Sequence, residues 1–270
     1  MLYFVPTPIG NLDDISSHAL DILKRCEILI CEDTRVSKSL INLLNQKYQI
    51  SISPDKFYSL HTHNSDEFFR NVNIDIFDKI CVYVSDAGMP CISDPGIELV
   101  KFAQKNSIPY EVISGSNAAL LAVVASGMVE KEWIFIGFLP NTSRNRIVAL
   151  QNTLNLPYPS VIYESPQRIF PLIEDISKID PNREIFAIKE ATKKFETKFK
   201  DISINLLNDL KNANLKGEWC IVVKGSDNIT HSNITQDDIL SLDIAPKIKA
   251  KLLSKITGEN AKKIYEKIIK

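Results

Sequence analysis

The sequence has almost no excess of charge of either sign. Its 270 residues contain 32 Lys and Arg against 33 Asp and Glu, which gives a formal net charge of -1 at pH 7. Proteins that hold nucleic acid through bulk electrostatics usually carry a strongly basic surface. This composition therefore argues against binding of free nucleic acid by charge alone, and any basic contact surface must be local.

Paired cysteines and long apolar runs are also absent. The five cysteines include no Cys-x-x-Cys pair and lie mostly in apolar, strand-like runs: Cys26, Cys31, Cys81, Cys91 and Cys220. We therefore expect no disulfide framework and a reducing, cytoplasmic location. The longest apolar run, 118–125, is too short to span a bilayer, and the first residues lack the pattern of a signal peptide.

Two common site motifs are missing as well. The turn at 5–14, VPTPIGNLDD, is rich in proline and contains no Gly-x-Gly-x-x-Gly, so it lacks the amides that a phosphate cradle needs. A nicotinamide dehydrogenase or other nucleotide-binding module is therefore disfavoured. His61 and His63 have no third ligand at a suitable spacing, so we predict no metal site.

Short β-rich runs alternate with helix-like runs along most of the chain. The predicted strands span residues 2–6, 28–31, 57–60, 80–85, 110–113, 133–138, 160–163, 184–188 and 219–224. The predicted helices between them include residues 36–44 and 66–77. Apolar strands separated by helices are typical of a mostly parallel sheet that is covered on both faces. We predict an α/β fold with two α/β domains, residues 1–115 and 116–228, and a ligand cleft between them.

The remaining residues, 229–270, are predicted to form a small basic helical tail. Residues 245–270 contain eight lysines and two glutamates, a charge of +6, and apolar residues recur there at helical spacing on both sides of Gly258. Lysine-rich helix faces are usually solvated. The sequence leaves open whether this face contacts only solvent or also RNA.

Two stretches between a predicted strand and a predicted helix are candidates for small-molecule binding. In residues 85–96, SDAGMPCISDPG, the small Ala87 and Gly88 leave backbone uncovered, and Asp94 and Pro95 suit a helix start. In residues 114–119, SGSNAA, free amides at a helix start suit a carboxylate. Each stretch is also compatible with an ordinary turn, or with Ser116 or Asn117 acting only as a helix cap.

Three charged motifs follow predicted strands: CEDTR at 31–35, YESPQR at 163–168 and KEATKKFE at 189–196. Each alone is typical of a surface ion-pair set. Ligands in open α/β sheets bind at the carboxyl ends of strands. Because all three motifs lie at such ends, we expect them to face the cleft.

Taken in order, these motifs and GFLP at 137–140 resemble the ribosomal RNA small subunit methyltransferase I family, from Phe4 to Gly225 and more loosely in the tail. The resemblance implies a tetrapyrrole-methylase-like fold that binds S-adenosylmethionine (SAM) in its cleft. It implies 2′-O-methylation of the ribose of a decoding-centre cytidine in 16S rRNA, and a homodimer with no DNA or membrane partner. The weak net charge then favours an assembled small ribosomal subunit over free RNA as the substrate.

The resemblance also implies the residues of the site. SAM is expected to contact Asp86, Ala87, Gly88, Met89, Ile92, Ser116, Asn117, Ala118, Tyr163 and Ala191. The catalytic candidates follow from the charged motifs and not from the resemblance. Glu190 is ranked first because Lys189 and Lys193 flank it, and Asp33, Glu164 and Lys189 are the others. Arg35, Arg168 and Lys193 are expected to contact the phosphates of the substrate, because a guanidinium fork or an ammonium group binds phosphate well.

Two other functions compete with this one. A tetrapyrrole C-methyltransferase has the same fold, but its first turn is glycine-rich and ends in Gly-Asp, whereas this chain has Ile9-Gly10-Asn11. A non-catalytic ribosome-assembly factor could bind RNA and keep SAM as a structural ligand. Methyl transfer from labelled SAM to a tetrapyrrole precursor or to small subunits distinguishes the three.

Overall fold

A computed structural model describes residues 1–141, 143–227 and 236–269 of the protein. The chain divides into two compact units, residues 1–227 and residues 228–270. The first unit contains two five-stranded sheets and the second contains helices. The α/β fold class with C-terminal helices, as predicted from the sequence, is therefore confirmed.

The first sheet is wholly parallel and has the strand order β3-β2-β4-β1-β5. Its strands are β1 (Leu2–Phe4), β2 (Ile28–Cys31), β3 (Lys56–Ser59), β4 (Cys81–Val84) and β5 (Tyr110–Val112). The helices between them are α1 (Ser17–Lys24), α2 (Thr34–Tyr48), α3 (Ser65–Asn71) and α4 (Gly96–Lys105).

Burial on both faces explains the apolar composition of the central strands. Every residue of β2 and β4 is buried. Leu29 and Val82 pack on the face covered by α1 and α2. Ile30 and Tyr83 pack on the opposite face, against residues of α3 and α4. This two-sided burial is the usual environment of parallel strands.

The second sheet follows α5 (Ala118–Ser126) and has the order β6-β7-β10-β8-β9. Its strands are β6 (Ile134–Phe138), β7 (Ser160–Glu164), β8 (Glu184–Lys189), β9 (Thr197–Ile202) and β10 (Trp219–Val223). The helices are α6 (Ser143–Leu154), α7 (Ile169–Ile179) and α8 (Ser203–Leu210). Only β6 and β7 pair in parallel, and the other pairs are antiparallel.

Some predicted elements differ from those in the structure. The helix expected over 66–77 ends at Asn71, because Asn73 accepts a hydrogen bond from the amide of Asp75 and starts a separate 3₁₀ turn, Ile74–Asp78. Strand β9 was not predicted. The helix expected over 36–44 is the longer α2, since Asp33 caps its start.

The second unit contains α9 (Gln236–Ser241), α10 (Pro246–Thr257) and α11 (Ala261–Ile268). Gly258 ends α10 in a left-handed conformation with φ 72°, where the sequence predicts a break. Ile239, Leu253 and Ile264 form a small core. Residues 229–235 of the predicted tail lie outside the described residues. In the described parts of the chain, no helix combines the length and hydropathy needed to cross a membrane.

Candidate active site

A cavity of about 440 Å³ lies beyond the carboxyl ends of β2, β4 and β7. Both sheets of the first unit contribute to its wall. Nine of the ten residues that were expected to contact SAM line it: Asp86, Ala87, Gly88, Met89, Ile92, Asn117, Ala118, Tyr163 and Ala191. The tenth, Ser116, lies outside the lining, and its hydroxyl donates to the carbonyl of Asp14 at 3.5 Å.

The loop after β4 is fixed by its backbone. The Gly88 amide donates to the carbonyl of Thr7 at 3.1 Å, and the Gly88 carbonyl accepts from the amide of Thr7 at 3.0 Å. Gly88 has φ 81°, and a Cβ there would lie 2.9 Å from the Ile9 side chain. A glycine is therefore required at this position, and it brings the loops after β1 and β4 together at one wall of the cavity.

The next stretch of the same loop holds strained backbone. Cys91 and Ser93 both have φ 69°, a left-handed conformation that is rare outside glycine. Asp94 stabilises this stretch, since its carboxylate accepts from the amides of Ile92 and Gly96 and from the hydroxyl of Tyr83. Asp94 thus accepts a hydrogen bond from the first amide of α4, that of Gly96, although Pro95 lies between Asp94 and the helix.

The opposite wall begins with α5 and an aromatic cluster. Asn117 caps α5 by accepting from the amide of Leu120, and the hydroxyl of Tyr163 accepts from the amide of Ala119 at 3.1 Å. Burial raises the pKa of Tyr163 to about 12, so its hydroxyl stays protonated at neutral pH. The Tyr163 ring makes an edge-to-face contact with Phe138, which is exposed and also lines the cavity.

Of the four catalytic candidates predicted from the sequence, Glu164 is the one that lies among the described residues lining the cavity. Its side chain is fully buried, and its Oε1 accepts from the amide of Ser165 at 2.8 Å and pairs with Arg168 Nε at 3.2 Å. Its Oε2 is buried without a hydrogen-bond partner. A buried carboxylate oxygen left unpaired is costly, so this atom is suited to accept a hydrogen bond from a ligand.

Arg168 holds the loop after β6 in place. Its guanidinium donates to the carbonyls of Leu139 and Pro140 and to the side chain of Asn141, in addition to its pair with Glu164. The structure therefore uses the donors of Arg168 within the chain, and this residue positions the GFLP loop.

Glu190, Lys189 and Lys193 lie beside the cavity, outside its lining. Glu190 Oε1 accepts from Lys193 Nζ and from the amide of Glu218, both at 2.9 Å. Burial acts to raise the pKa of Glu190, but the hydrogen bond from Glu218 and the Lys193 ammonium outweigh it, so the pKa is lowered. The Lys189 ammonium is buried and donates to the carbonyl of Asn214 at 2.8 Å.

An open groove of about 640 Å³ adjoins the cavity and shares wall residues with it, among them Ile9, Asp86 and Ala87. Arg35 and Lys193 line this groove, as does Asp33. Asp33 forms a bidentate pair with Arg35, whose Nε donates to Oδ1 and whose Nη2 donates to Oδ2, and the Arg35 side chain is 90% exposed. The hydrogen bonds from Arg35 lower the pKa of Asp33 to about 2.

Three further residues line the cavity for which the sequence predicted no individual role: Glu32 and Phe138, which lie in the CEDTR and GFLP motifs, and Trp219. Glu32 is half-buried directly after β2, and its Oε1 accepts from the amide of Asp86 at 3.2 Å. Burial, together with the charges of Asp94 and Asp86, raises the pKa of Glu32 to about 7. The sequence feature that could have identified Glu32 is its position directly after the four apolar residues of β2. Among the described residues, no group of three or more His, Cys, Asp or Glu is placed to hold a metal ion.

A family model described as tetrapyrrole (corrin/porphyrin) methylases matches residues 1–202. Curated relatives match nearly the whole chain. A Campylobacter fetus protein named ribosomal RNA small subunit methyltransferase I is 63% identical over 100% of both chains. A Helicobacter pylori (strain J99) protein of the same name is 40% identical and covers 98% of this chain and 96% of its own.

Solved structures support the same fold. A cobalt precorrin-4 methyltransferase superposes with a TM-score of 0.59 over 83% of this chain and 94% of its own, at 14% identity. The uroporphyrin-III C-methyltransferase of Thermus thermophilus, solved with S-adenosylhomocysteine, has a TM-score of 0.56 over 82% and 96%, at 15% identity. At this identity the likeness shows the fold alone. The family model and the full-length relatives go further, and the chain belongs to the tetrapyrrole methylases and, among them, to the ribosomal RNA small subunit methyltransferase I family.

Proposed function

We propose that this protein transfers a methyl group from SAM to the 2′-hydroxyl of a decoding-centre cytidine ribose in the 16S rRNA of the small ribosomal subunit. One observation carries the proposal beyond family membership. A cavity of cofactor size adjoins a groove that presents Arg35 and Lys193. A small methyl donor and a phosphate-bearing substrate can therefore occupy adjoining spaces.

The residues present fit SAM. The cavity volume falls within the range of about 300–1,000 Å³ that is usual for small-ligand sites. Glu164 Oε2 is a buried acceptor without a partner, and SAM carries an ammonium group and ribose hydroxyls. The small Ala87 and Gly88 leave backbone open, and Asn117 and Ala118 present the start of α5, which favours a carboxylate. Phe138 offers an exposed ring for the adenine.

When bound, SAM supplies a methyl group already activated by its sulfonium. The chain must then align the hydroxyl and exclude water, and alignment of this kind can contribute about 7–11 kcal/mol to catalysis. We propose that two walls of the cavity align the hydroxyl with the methyl group: the loops after β1 and β4 on one side, and α5 with the end of β7 on the other. The strands of the two walls belong to different sheets. The contact of Asn11 with Thr192 joins these walls beside Ala191.

The other predicted residues receive supporting roles in this proposal. Arg35 and Lys193 contact the phosphates of the RNA, with Asp33 and Glu190 as the carboxylates that orient them. Arg168 holds the GFLP loop. Lys189 fixes residue 214, near the start of β10.

We also propose a homodimer. Leu120 and Val124 project from α5 with 51% and 81% of their surface exposed, and both line a surface groove together with Leu121 and Ala125. Apolar side chains grouped in this way mark protein contact sites. Changing Leu120 and Val124 to Lys should convert the dimer to a monomer in sedimentation equilibrium. We further infer a cytoplasmic protein, since the proposed substrate is a ribosomal subunit and the five cysteines are free thiols.

The decisive experiment is labelled methyl transfer from SAM to purified small subunits of a strain that lacks the enzyme, followed by mapping of the modified ribose. Label at one 2′-oxygen is the expected result. Label in a porphyrin precursor would favour the tetrapyrrole C-methyltransferase. SAM uptake in calorimetry without any transfer, even in a single turnover, would favour the assembly factor.

A further inference from the structure

Glu32 differs from the other carboxylates of the three charged motifs, CEDTR, YESPQR and KEATKKFE. Asp33 pairs with Arg35, Glu164 with Arg168 and Glu190 with Lys193. Within the described residues, no cation pairs with Glu32. Such a carboxylate is free to exchange a proton, because no neighbouring positive charge stabilises its ionised form.

The backbone holds Glu32 in place at the cavity. Its Oε1 accepts from the amide of Asp86, and Asp86 Oδ1 accepts in turn from the amide of Asp33, both at 3.2 Å. The Glu32 carbonyl accepts from the hydroxyl of Ser59 at 3.0 Å. These bonds tie the end of β2 to the end of β3 and to the loop after β4. Glu32 lines the cavity, and Asp86 lines both the cavity and the groove.

From this geometry we infer that Glu32 is the general base that removes the proton from the substrate hydroxyl. This inference rests on the proposed methyl transfer and names the base of that reaction. The Glu32 carboxylate takes the hydroxyl proton while the oxygen forms its bond to the methyl carbon. The bond from that carbon to the sulfonium sulfur breaks, and its electron pair stays on sulfur as a neutral thioether. The products are the methyl ether, the thioether and protonated Glu32, so atoms and charge balance.

The surroundings of Glu32 suit this role. Asp86 and Asp94 on the loop after β4 face it, together with Tyr83 of β4, and Asp33 is its neighbour in the chain. Burial is the main cause that brings the pKa of Glu32 to about 7, and the two aspartates add to it. A general base is most effective when its pKa is close to the working pH.

The test compares Glu32→Gln with the wild type and with a matched surface variant, Glu98→Gln, which removes an exposed carboxylate of α4. Single-turnover methyl transfer to small subunits is measured from pH 5.5 to 9. The wild-type rate should fall about tenfold per pH unit below pH 7. Glu32→Gln should be about 10²–10⁴-fold slower and lack this limb. Glu98→Gln should follow the wild type.

Two further measurements separate the base from a structural or ligand-binding role. SAM affinity by calorimetry should stay close to wild type in Glu32→Gln at pH 6.5, and the melting temperature should stay close to wild type at pH 4, where Glu32 is protonated in both the folded and the unfolded chain. In ¹³C spectra of glutamate-labelled protein, one side-chain carboxyl should titrate near pH 7, and Glu32→Gln should lose that signal. Glu32→Asp, which withdraws the carboxylate by one methylene, should keep the pH limb at a lower rate.

Several outcomes would overturn the inference. An active wild type with an equally active Glu32→Gln would remove Glu32 as the base, as would a variant that lost SAM affinity while keeping its rate at saturation. The absence of any carboxyl that titrates near pH 7 would contradict it too. If the wild type itself transferred no methyl group to small subunits, the proposed function would fail first, and that result is distinguishable from all of these.

Discussion

The backbone amide of Asn11 donates a hydrogen bond to the hydroxyl of Thr192 at 3.0 Å, across 181 positions of sequence. Gly10 makes this approach possible. A Cβ at Gly10 would lie 2.5 Å from Lys193 Cγ, 2.6 Å from Thr192 Oγ1 and 2.9 Å from the carbonyl of Ala191. The turn after β1 thus meets the loop after β8 beside Ala191, which lines the cavity.

Thr192→Val should weaken this contact without changing the shape of the side chain. Loss of one such hydrogen bond costs about 0.5–1.5 kcal/mol, and we expect a similar fall in the free energy of unfolding, with weaker SAM binding in calorimetry. Thr192→Ser keeps the hydroxyl and is the matched control. Equal SAM affinity in both variants would mean that the contact does not shape the cavity.

Asp33→Asn tests the ion pair at the start of α2. Asparagine can still cap the helix, so only the charge is lost. The pKa of Asp33 is lowered to about 2 from an ordinary 3.8, so its charge stabilises the fold above pH 3.8, and that stability is lost as the pH falls through 2. Urea unfolding should therefore show the variant as less stable at pH 7, with a smaller gap at pH 3. A gap that grew on acidification would contradict this assignment.

Glu32→Gln should affect stability in the opposite sense. Because the pKa of Glu32 rises from 4.5 to about 7 on folding, the ionised form destabilises the fold, and wild-type stability is lost as the pH rises from 4.5 through 7. The variant should be the more stable protein at pH 8.5 and should match the wild type below pH 4.5. Urea titrations at these two pH values measure the difference. A constant offset would indicate a packing change.

Glu190→Gln should lower turnover on small subunits while SAM affinity stays nearly unchanged. Glu190 lies outside the cavity lining, but its carboxylate holds Lys193 at the groove. With a neutral partner the ammonium is less well positioned for a phosphate. Multiple-turnover kinetics beside calorimetry test this, with the surface variant Glu174→Gln as control. Full retained activity would remove Glu190 from the site.

Lysines of the tail should add to the salt dependence of subunit binding. Lys247, Lys251 and Lys255 are exposed on α10. Each lysine that neutralises a phosphate makes log K against log salt concentration steeper, by about 0.7–0.9. Changing all three to Gln should flatten the slope measured by filter binding, and the same change at Lys24, Lys101 and Lys178 is the control. An unchanged slope would mean that these three lysines contact only solvent.

Deletion of residues 229–270 should reduce methyl transfer to the small subunit, measured with labelled SAM. Unchanged activity would contradict a role of the tail in RNA contact.

Most of the first sheet could be predicted because β2 and β4 are continuous apolar runs between helices. The second sheet was harder, since alternating strands and helices do not specify strand direction. Strand β9 escaped prediction because Lys198 and Lys200 alternate with partly buried residues at an edge of the sheet.

The cavity-lining loops could be predicted from small residues at strand ends. The ten expected contacts followed from the family resemblance, and nine of them line the cavity. The raised pKa of Glu32 could not be predicted from the sequence, because the burial of this side chain depends on the position of the loop that carries Asp86 and Asp94. The sequence also could not show that the donors of Arg168 are used within the chain.

The left-handed backbone at Cys91 and Ser93 limits how far this protein can be stabilised without losing performance. Glycine at either position would relieve strain, and heat resistance would rise wherever that relief exceeded the added freedom of the unfolded chain. The same substitution would let the loop at the edge of the cavity adopt more conformations and would thereby lower the affinity for a small ligand. Directed evolution for thermal stability is therefore expected to select glycine at Cys91 and Ser93 early, and to lower ligand affinity as it does so.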